Sequence, residues 1–363
     1  MSRRPRFVAL TLAVLLVLSA CAGQEGTDTT GAGTSATTAA GATTTTAGDE
    51  TTTSASPEQQ EVELVFAHSY QEGQPQVVCG AEVIKEAAEA SNVGLTLEVF
   101  GASALGGDAD RIQSVVAGDI DLDIQGASAL AAVYEPMSVA DGAFVFDDSE
   151  HLYRFFTSDA SDPLKDGFYE ATGVRILGAW NTGARQFTAN VPIREPEDLQ
   201  GLRMRFPPSP SFLLNAEAMG AEAVEVAFEE LYLALQQGTV DGQENPIVNI
   251  DAINLDEVQD YISLSSHQLS SNLVIVGPIW DDLSAEQQQA LADGVEEAMV
   301  REPECAAAAE EDFLAEWRES GALEIIDDVN RDAFRERVEP FLRDAYNAEQ
   351  IEVLTAIRST AGG

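Results

Sequence analysis

The chain has 363 residues, of which 62 are acidic and 19 basic, for a formal net charge of −43. Such a charge keeps a surface soluble and argues against nucleic acid as a partner, because phosphate recognition needs the opposite sign. The three histidines, His68, His151 and His267, are scattered. With no P-loop, nucleophile elbow or zinc-protease signature beside them, neither an enzyme nor a metal or cofactor site is expected.

The chain opens with Arg3, Arg4 and Arg6, an apolar run over about 7–18, and then Leu18-Ser19-Ala20-Cys21. A basic start, a short apolar stretch and small residues before a cleavage point describe a secretory signal peptide over 1–20. The run is well short of the roughly 20 residues a spanning helix needs. The Leu-Ser-Ala-Cys ending resembles a bacterial lipobox, which implies lipidation of Cys21. A plain signal peptide with Cys21 incidental is the alternative. The expectation is an exported protein, lipid-anchored on the outer face of the cytoplasmic membrane. Residues 21–60 are dominated by Thr, Ala, Gly and Ser, with almost nothing large and apolar to bury, and read as a disordered linker.

From residue 61 about 300 residues remain, enough for a large core in two lobes. Strands are predicted at 62–67, 95–100, 120–124 and 174–180. Helices are predicted at 75–90 and at 110–117, the latter ending at Gly118. This βαβ rhythm indicates an α/β fold with largely parallel sheets, whose ligands bind beyond the carboxyl ends of strands. Asp119, Asp121 and Asp123 alternate along one strand face and read as an exposed edge. They do not make a calcium loop, because Ile124 stands where glycine is required. Further on, a strand at 202–206 places Arg203 and Arg205 on one face, and helices follow at 212–219 and 229–237. Ser284 with Gln287 has the spacing of a capping box opening a helix to about Met299. The remainder is mostly helical, with a strand-like 323–326. Cys79 and Cys305 are the two thiols left after Cys21, and a disulfide and two separate buried thiols are both compatible with them.

Positive charge concentrates in one stretch, 180–249, where Arg185, Arg203 and Arg205 lie among strand-like segments. In so acidic a chain, that clustering points to a small anion.

The motifs RQFTAN at 185–190, PEDLQGLRMR at 196–205, EELYLALQQG at 229–238 and VDGQENP at 240–246 occur in this order and spacing. The chain thereby resembles the solute receptors of tripartite ATP-independent periplasmic (TRAP) transporters, the DctP-like family, weakly from about Val62 to about Leu283. The resemblance implies a two-lobed periplasmic-binding-protein-like fold with mixed, mostly parallel sheets, crossing hinge strands and a long helix linking the lobes. It places lobe one at 61–182 and 271–310, and lobe two at 183–270 and 311–363. It also implies a monomer that passes a small organic acid to a membrane permease powered by an ion gradient. The alternative is a lipoprotein that presents its solute to a signalling receptor.

By the same resemblance Arg205 pairs with the solute carboxylate, assisted by Arg185 and Asn245. A guanidinium offers a planar fork to a carboxylate and stays charged. Arg185 has an alternative partner in Glu244, Asn245 has an alternative role capping the turn before Pro246, and Arg203 reads as a solvated or structural charge. Ser69, Asp108 and Gln125 sit where family members touch the solute. Phe228 and Trp180 either pack on its apolar part or belong to the core.

Overall fold

The computed structural model describes residues 61–362. The signal peptide, Cys21 and the linker fall outside the described residues.

Nine strands form one mixed sheet: β1 (Val62–Ala67), β2 (Leu95–Phe100), β3 (Leu122–Gln125), β4 (Arg175–Ala189), β5 (Arg203–Phe206), β6 (Glu222–Glu225), β7 (Gly242–Pro246), β8 (Tyr261–Val276) and β9 (Glu324–Ile326). Their order is β2-β1-β3-β8-β4-β7-β5-β6, with β9 alongside β8. β1 runs parallel to β2 and β3, and β5 runs parallel to β6 and β7. The antiparallel joins lie where β4 and β8 enter. Parallel neighbours need crossover connections, which explains the alternation of strands and helices along the chain.

β4 and β8, at 15 and 16 residues, are far longer than the usual 5–6. Residues 175–181 of β4 pair with 271–276 of β8, and 184–189 pair with 261–269. Register breaks interrupt the pair between Ile176 and Gly178, between Asn181 and Ala184, and between Arg185 and Phe187. At the middle break Gly183 has φ +107°, a backbone conformation that favours glycine, and a Cβ there would meet the Glu310 carboxylate. The sheet thus bends into two lobes without being cut. Periodicity reveals only the first part of β4, because residues 179–189 are almost all buried on both faces and show no alternation.

Ser284 and Gln287 form the capping box expected of them. The helix they open does not end near Met299. It runs from Ala285 to Ser320, 36 residues and about 54 Å long, passing through Pro303. An internal proline costs a hydrogen bond, and packing at both ends offsets that cost. Leu291 and Val295 join Leu64, Ile84 and Leu97 in the first lobe's core, while Trp317 joins Leu231 and Ile262 in the second. Cys79 and Cys305 are joined by a disulfide, Cα atoms 6.5 Å apart, tying the first helical segment to the long helix. The last helix, Ala348–Ser359, packs on elements from the first half of the chain: Gln350 Nε2 donates to Ser138 Oγ at 2.8 Å, and His151 Nε2 meets Ile357 O at 2.9 Å. Among the described residues, no helix is long and apolar enough to cross a membrane.

The three aspartates at 119–123 do not share an exposed edge. β3 lies between β1 and β8, so Asp123 is fully buried against Arg111 and Asp121 accepts the Val65 N–H at 2.7 Å. Asp119 alone is exposed. The interior position of the strand overrides the expectation drawn from alternation.

Glu302 is buried on the long helix against β4. It accepts from Thr182 Oγ1 at 2.6 Å, and its Oε2 has no partner. Burial pushes its carboxyl up to about 8, and burial likewise pushes Glu310 up to about 7. A folded-state pKa raised above the unfolded value gives stability that is complete at low pH and lost as pH rises through the folded value. Melting temperature is therefore expected to fall between about pH 5 and pH 9, by at least about 3 °C. Glu302→Gln, which keeps the Thr182 bond without the charge, should flatten that slope in a thermal melt series. An unchanged slope in the variant would show that these carboxylates do not govern it.

Candidate functional site

Strand ends from both lobes converge on one cleft of about 280 Å³, near the small end of the roughly 300–1,000 Å³ typical of ligand pockets. Ser69 follows β1, Gln125 ends β3, and Arg205 and Asn245 stand one residue from the ends of β5 and β7. Their side chains line the cleft together with Arg185, Asp108 and Phe228. Seven of the residues singled out in the sequence are thus brought together. Trp180 is not: it is 1 % exposed, packed with Leu64 and Leu97 in the first lobe's core. It lies on the part of β4 that faces the long helix, where an indole fills the core.

Arg205 is 1 % exposed. Its Nε donates to Val226 O at 2.8 Å, while Nη1 is buried without a partner. Burial lowers its pKa to about 10, with Glu244 opposing the shift and Arg185 reinforcing it, so it remains a cation at neutral pH. A buried charged donor left unpaired is costly, and an anion in the cleft removes that cost.

Arg185 differs in one decisive respect. Its Nη2 donates to Glu244 Oε1 at 2.7 Å, its Nε bonds Glu244 Oε2, and Nη2 also reaches Glu244 O and Asn245 Oδ1. Nη1 donates to Ser270 Oγ at 3.2 Å, and the guanidinium lies 4.8 Å from the Phe212 ring centroid. Its charge is already balanced inside the protein. Burial alone would raise Glu244, but Arg185 and a hydrogen bond from His267 outweigh it and hold its carboxyl below the usual range. Asn245 takes part through both ends, Nδ2 donating to Gln243 Oε1 and Oδ1 accepting from Arg185. Arg203, on the same strand as Arg205, instead pairs with Asp241 at 2.6 Å and half-exposed, away from the cleft.

On the other wall, Asp108 opens the helix Asp108–Ala117, and its Oδ1 accepts from Ser69 Oγ at 2.7 Å and Arg111 Nη2 at 2.9 Å. Arg111 is fully buried between Asp108 and Asp123. Sequence reasoning passed over Arg111, although the Asp108–Arg111 spacing of three along a helix was a signal for it. Tyr70, Asp141, Phe212 and Asn249 also line the cleft; they come from separate elements, and nothing in their spacing announces them. Asn249 Oδ1 accepts from Gln74 and Gln76.

A two-lobed α/β scaffold closing strand ends around a buried arginine is the architecture of an extracytoplasmic solute-binding protein. Sequence and structural comparisons agree. The chain belongs to the bacterial extracellular solute-binding protein family 7, the DctP receptors of TRAP transporters, which it matches over residues 66–349. It is 32 % identical over 254 residues to the 2,3-diketo-L-gulonate-binding periplasmic protein of Escherichia coli, covering 69 % of this chain and 77 % of that one. Its fold is similar to a TRAP periplasmic solute-binding protein from a Polaromonas species bound to D-erythronate. There the TM-score is 0.78 and the identity 26 %, over 84 % of this chain and all of that one. A counterpart from Shewanella oneidensis with bound succinate gives a TM-score of 0.77 at 25 % identity, over 84 % of this chain and all of that one.

Breaking a buried ion pair by removing one partner typically costs about 3–5 kcal/mol. Glu244→Ala should therefore lower stability by about that much in urea titration. In the intact protein the depressed Glu244 carboxyl contributes stability that is lost as pH falls through its folded-state pKa. A loss under about 1 kcal/mol would show that the pair is not a structural element.

Proposed function

We propose that this protein is the solute receptor of a TRAP transporter, capturing a small organic acid in the cleft between its lobes and delivering it to an ion-gradient-driven permease. Arg205 clamps the solute carboxylate, Arg185 and Asn245 orient that end of the site, and Ser69, Asp108, Gln125 and Phe228 line the rest. The observation that carries this reading is the buried guanidinium of Arg205 in the lining of the cleft, whose Nη1 has no partner. Relatives that bind sugar acids and succinate support it. No chemical step is needed: charge-assisted bonds of roughly 1.5–3 kcal/mol each, two or three in number, plus apolar packing reach the roughly −8 kcal/mol of a micromolar complex. Closure follows from bending β4 and β8 at their register breaks, with the lobes dividing near residues 182 and 270. The periplasmic relatives and the leader support export, and Cys21 supplies the lipid tether.

Calorimetry with a panel of organic acids tests the clamp. Arg205→Ala should weaken acid binding by at least about 100-fold, the equivalent of roughly 3 kcal/mol, while the protein remains folded. Unchanged affinity would sink the assignment. Replacing Cys21 by Ser should move the protein from the membrane fraction to the soluble fraction, and retention on membranes would refute the anchor.

A further inference from the structure

The class of acid follows from the charges around the cleft, given the carboxylate reading above. Two guanidiniums line it, Arg185 and Arg205. Arg185 is neutralised by Glu244, and Arg111, just behind the wall, is held between Asp108 and Asp123. A solute entering the cleft therefore meets one uncompensated cation, Arg205.

The remaining lining charges are negative: Asp108, Asp110, Asp141 and Glu229. Asp141 is occupied within the protein by Ser271 Oγ at 2.6 Å and the Ser128 N–H at 2.7 Å. Asp108 is not fully occupied. Both of its bonds fall on Oδ1, Oδ2 takes none, and the side chain is 52 % exposed. Gln125 Nε2 gives its bond to Asp123 Oδ2 at 2.7 Å, which leaves Oε1 as an acceptor toward the cleft. The wall away from Arg205 thus offers acceptors and negative charge. A second carboxylate beside Asp108 would face like-charge repulsion that Arg111, shared between Asp108 and Asp123, offsets only in part.

We propose that the solute is a monocarboxylate whose remaining part carries hydrogen-bond donors and no second negative charge, with Asp108 as the residue that excludes dicarboxylates. Hydroxyls and an ammonium are two sources of the same donor chemistry, and the choice of probes separates them.

The test is calorimetry of the intact mature protein with length-matched acids: D-erythronate, 4-aminobutyrate and succinate at four carbons, and D-gluconate and adipate at six. In at least one length class a donor-bearing monocarboxylate should bind at least about 30-fold more tightly than its dicarboxylate. Erythronate or gluconate leading identifies hydroxyls, and aminobutyrate leading identifies an ammonium. Asp108→Asn keeps an acceptor for Ser69 and Arg111 while removing the charge. It should narrow the ratio at least about 10-fold by raising dicarboxylate affinity. A ratio under about 30-fold in both length classes of the unaltered protein, with acids bound, overturns this proposal and leaves the Arg205 clamp standing. An unchanged ratio in a folded Asp108→Asn variant also overturns it. If that variant does not fold, the ratio in the unaltered protein decides alone. Binding of none of the acids overturns the carboxylate reading and this proposal with it.

Discussion

A guanidinium buried to 1 % exposure whose Nη1 has no partner, that of Arg205, is the feature to which the rest of the site answers. Taking a charge out of water is expensive unless it is paired and hydrogen-bonded. The protein meets that condition for its other buried cations: Glu244 balances Arg185, and Asp108 with Asp123 balances Arg111. At Arg205 it supplies one backbone carbonyl and stops. The deficit lies where strand ends from both lobes converge, so in the function proposed above a bound anion would complete the electrostatics and bridge the lobes in one act. Uncompensated charge at a closing interface gives a receptor both affinity and a reason to close.

The hinge carries a second set of unsatisfied groups. β4 and β8 run through both lobes and lose register at three levels, and Gly183 sits at the middle break with Glu310 against its backbone. Glu302 and Glu310 project from the long helix toward that segment, each with a buried oxygen lacking a partner. Tight hydrocarbon packing holds each end of this helix to its own lobe. The joint between them is polar and less completely bonded. Rigid lobes about a less satisfied joint suit a protein that bends in one place.

Much of this was legible in the sequence because it depends on local rules. The capping box at Ser284 and Gln287, the cap at Gly118 and the βα alternation are short-range chemistry, and they appear as read. Arg205 stood out because positive charge is scarce in this chain. The misreadings share one cause, tertiary burial overriding a local pattern. Asp123 alternates like an edge residue but lies inside the sheet. Pro303 should stop a helix but is held in one by packing on two lobes. The second half of β4 has no period because both its faces are covered. Trp180 is adjacent in sequence to the hinge yet points into the core.

By itself the sequence determined the α/β class and the presence of an arginine cluster in an acidic chain, because composition, periodicity and motif spacing are properties of the chain as written. It did not determine which arginine is free. Arg185, Arg203 and Arg205 are chemically identical, and only the fold distributes carboxylates among them: Glu244 comes to the first, Asp241 to the second, none to the third. Pairing energy depends on distances between residues that are 38 to 59 positions apart in the chain. Those distances exist only after β4, β5 and β7 have come together in one sheet.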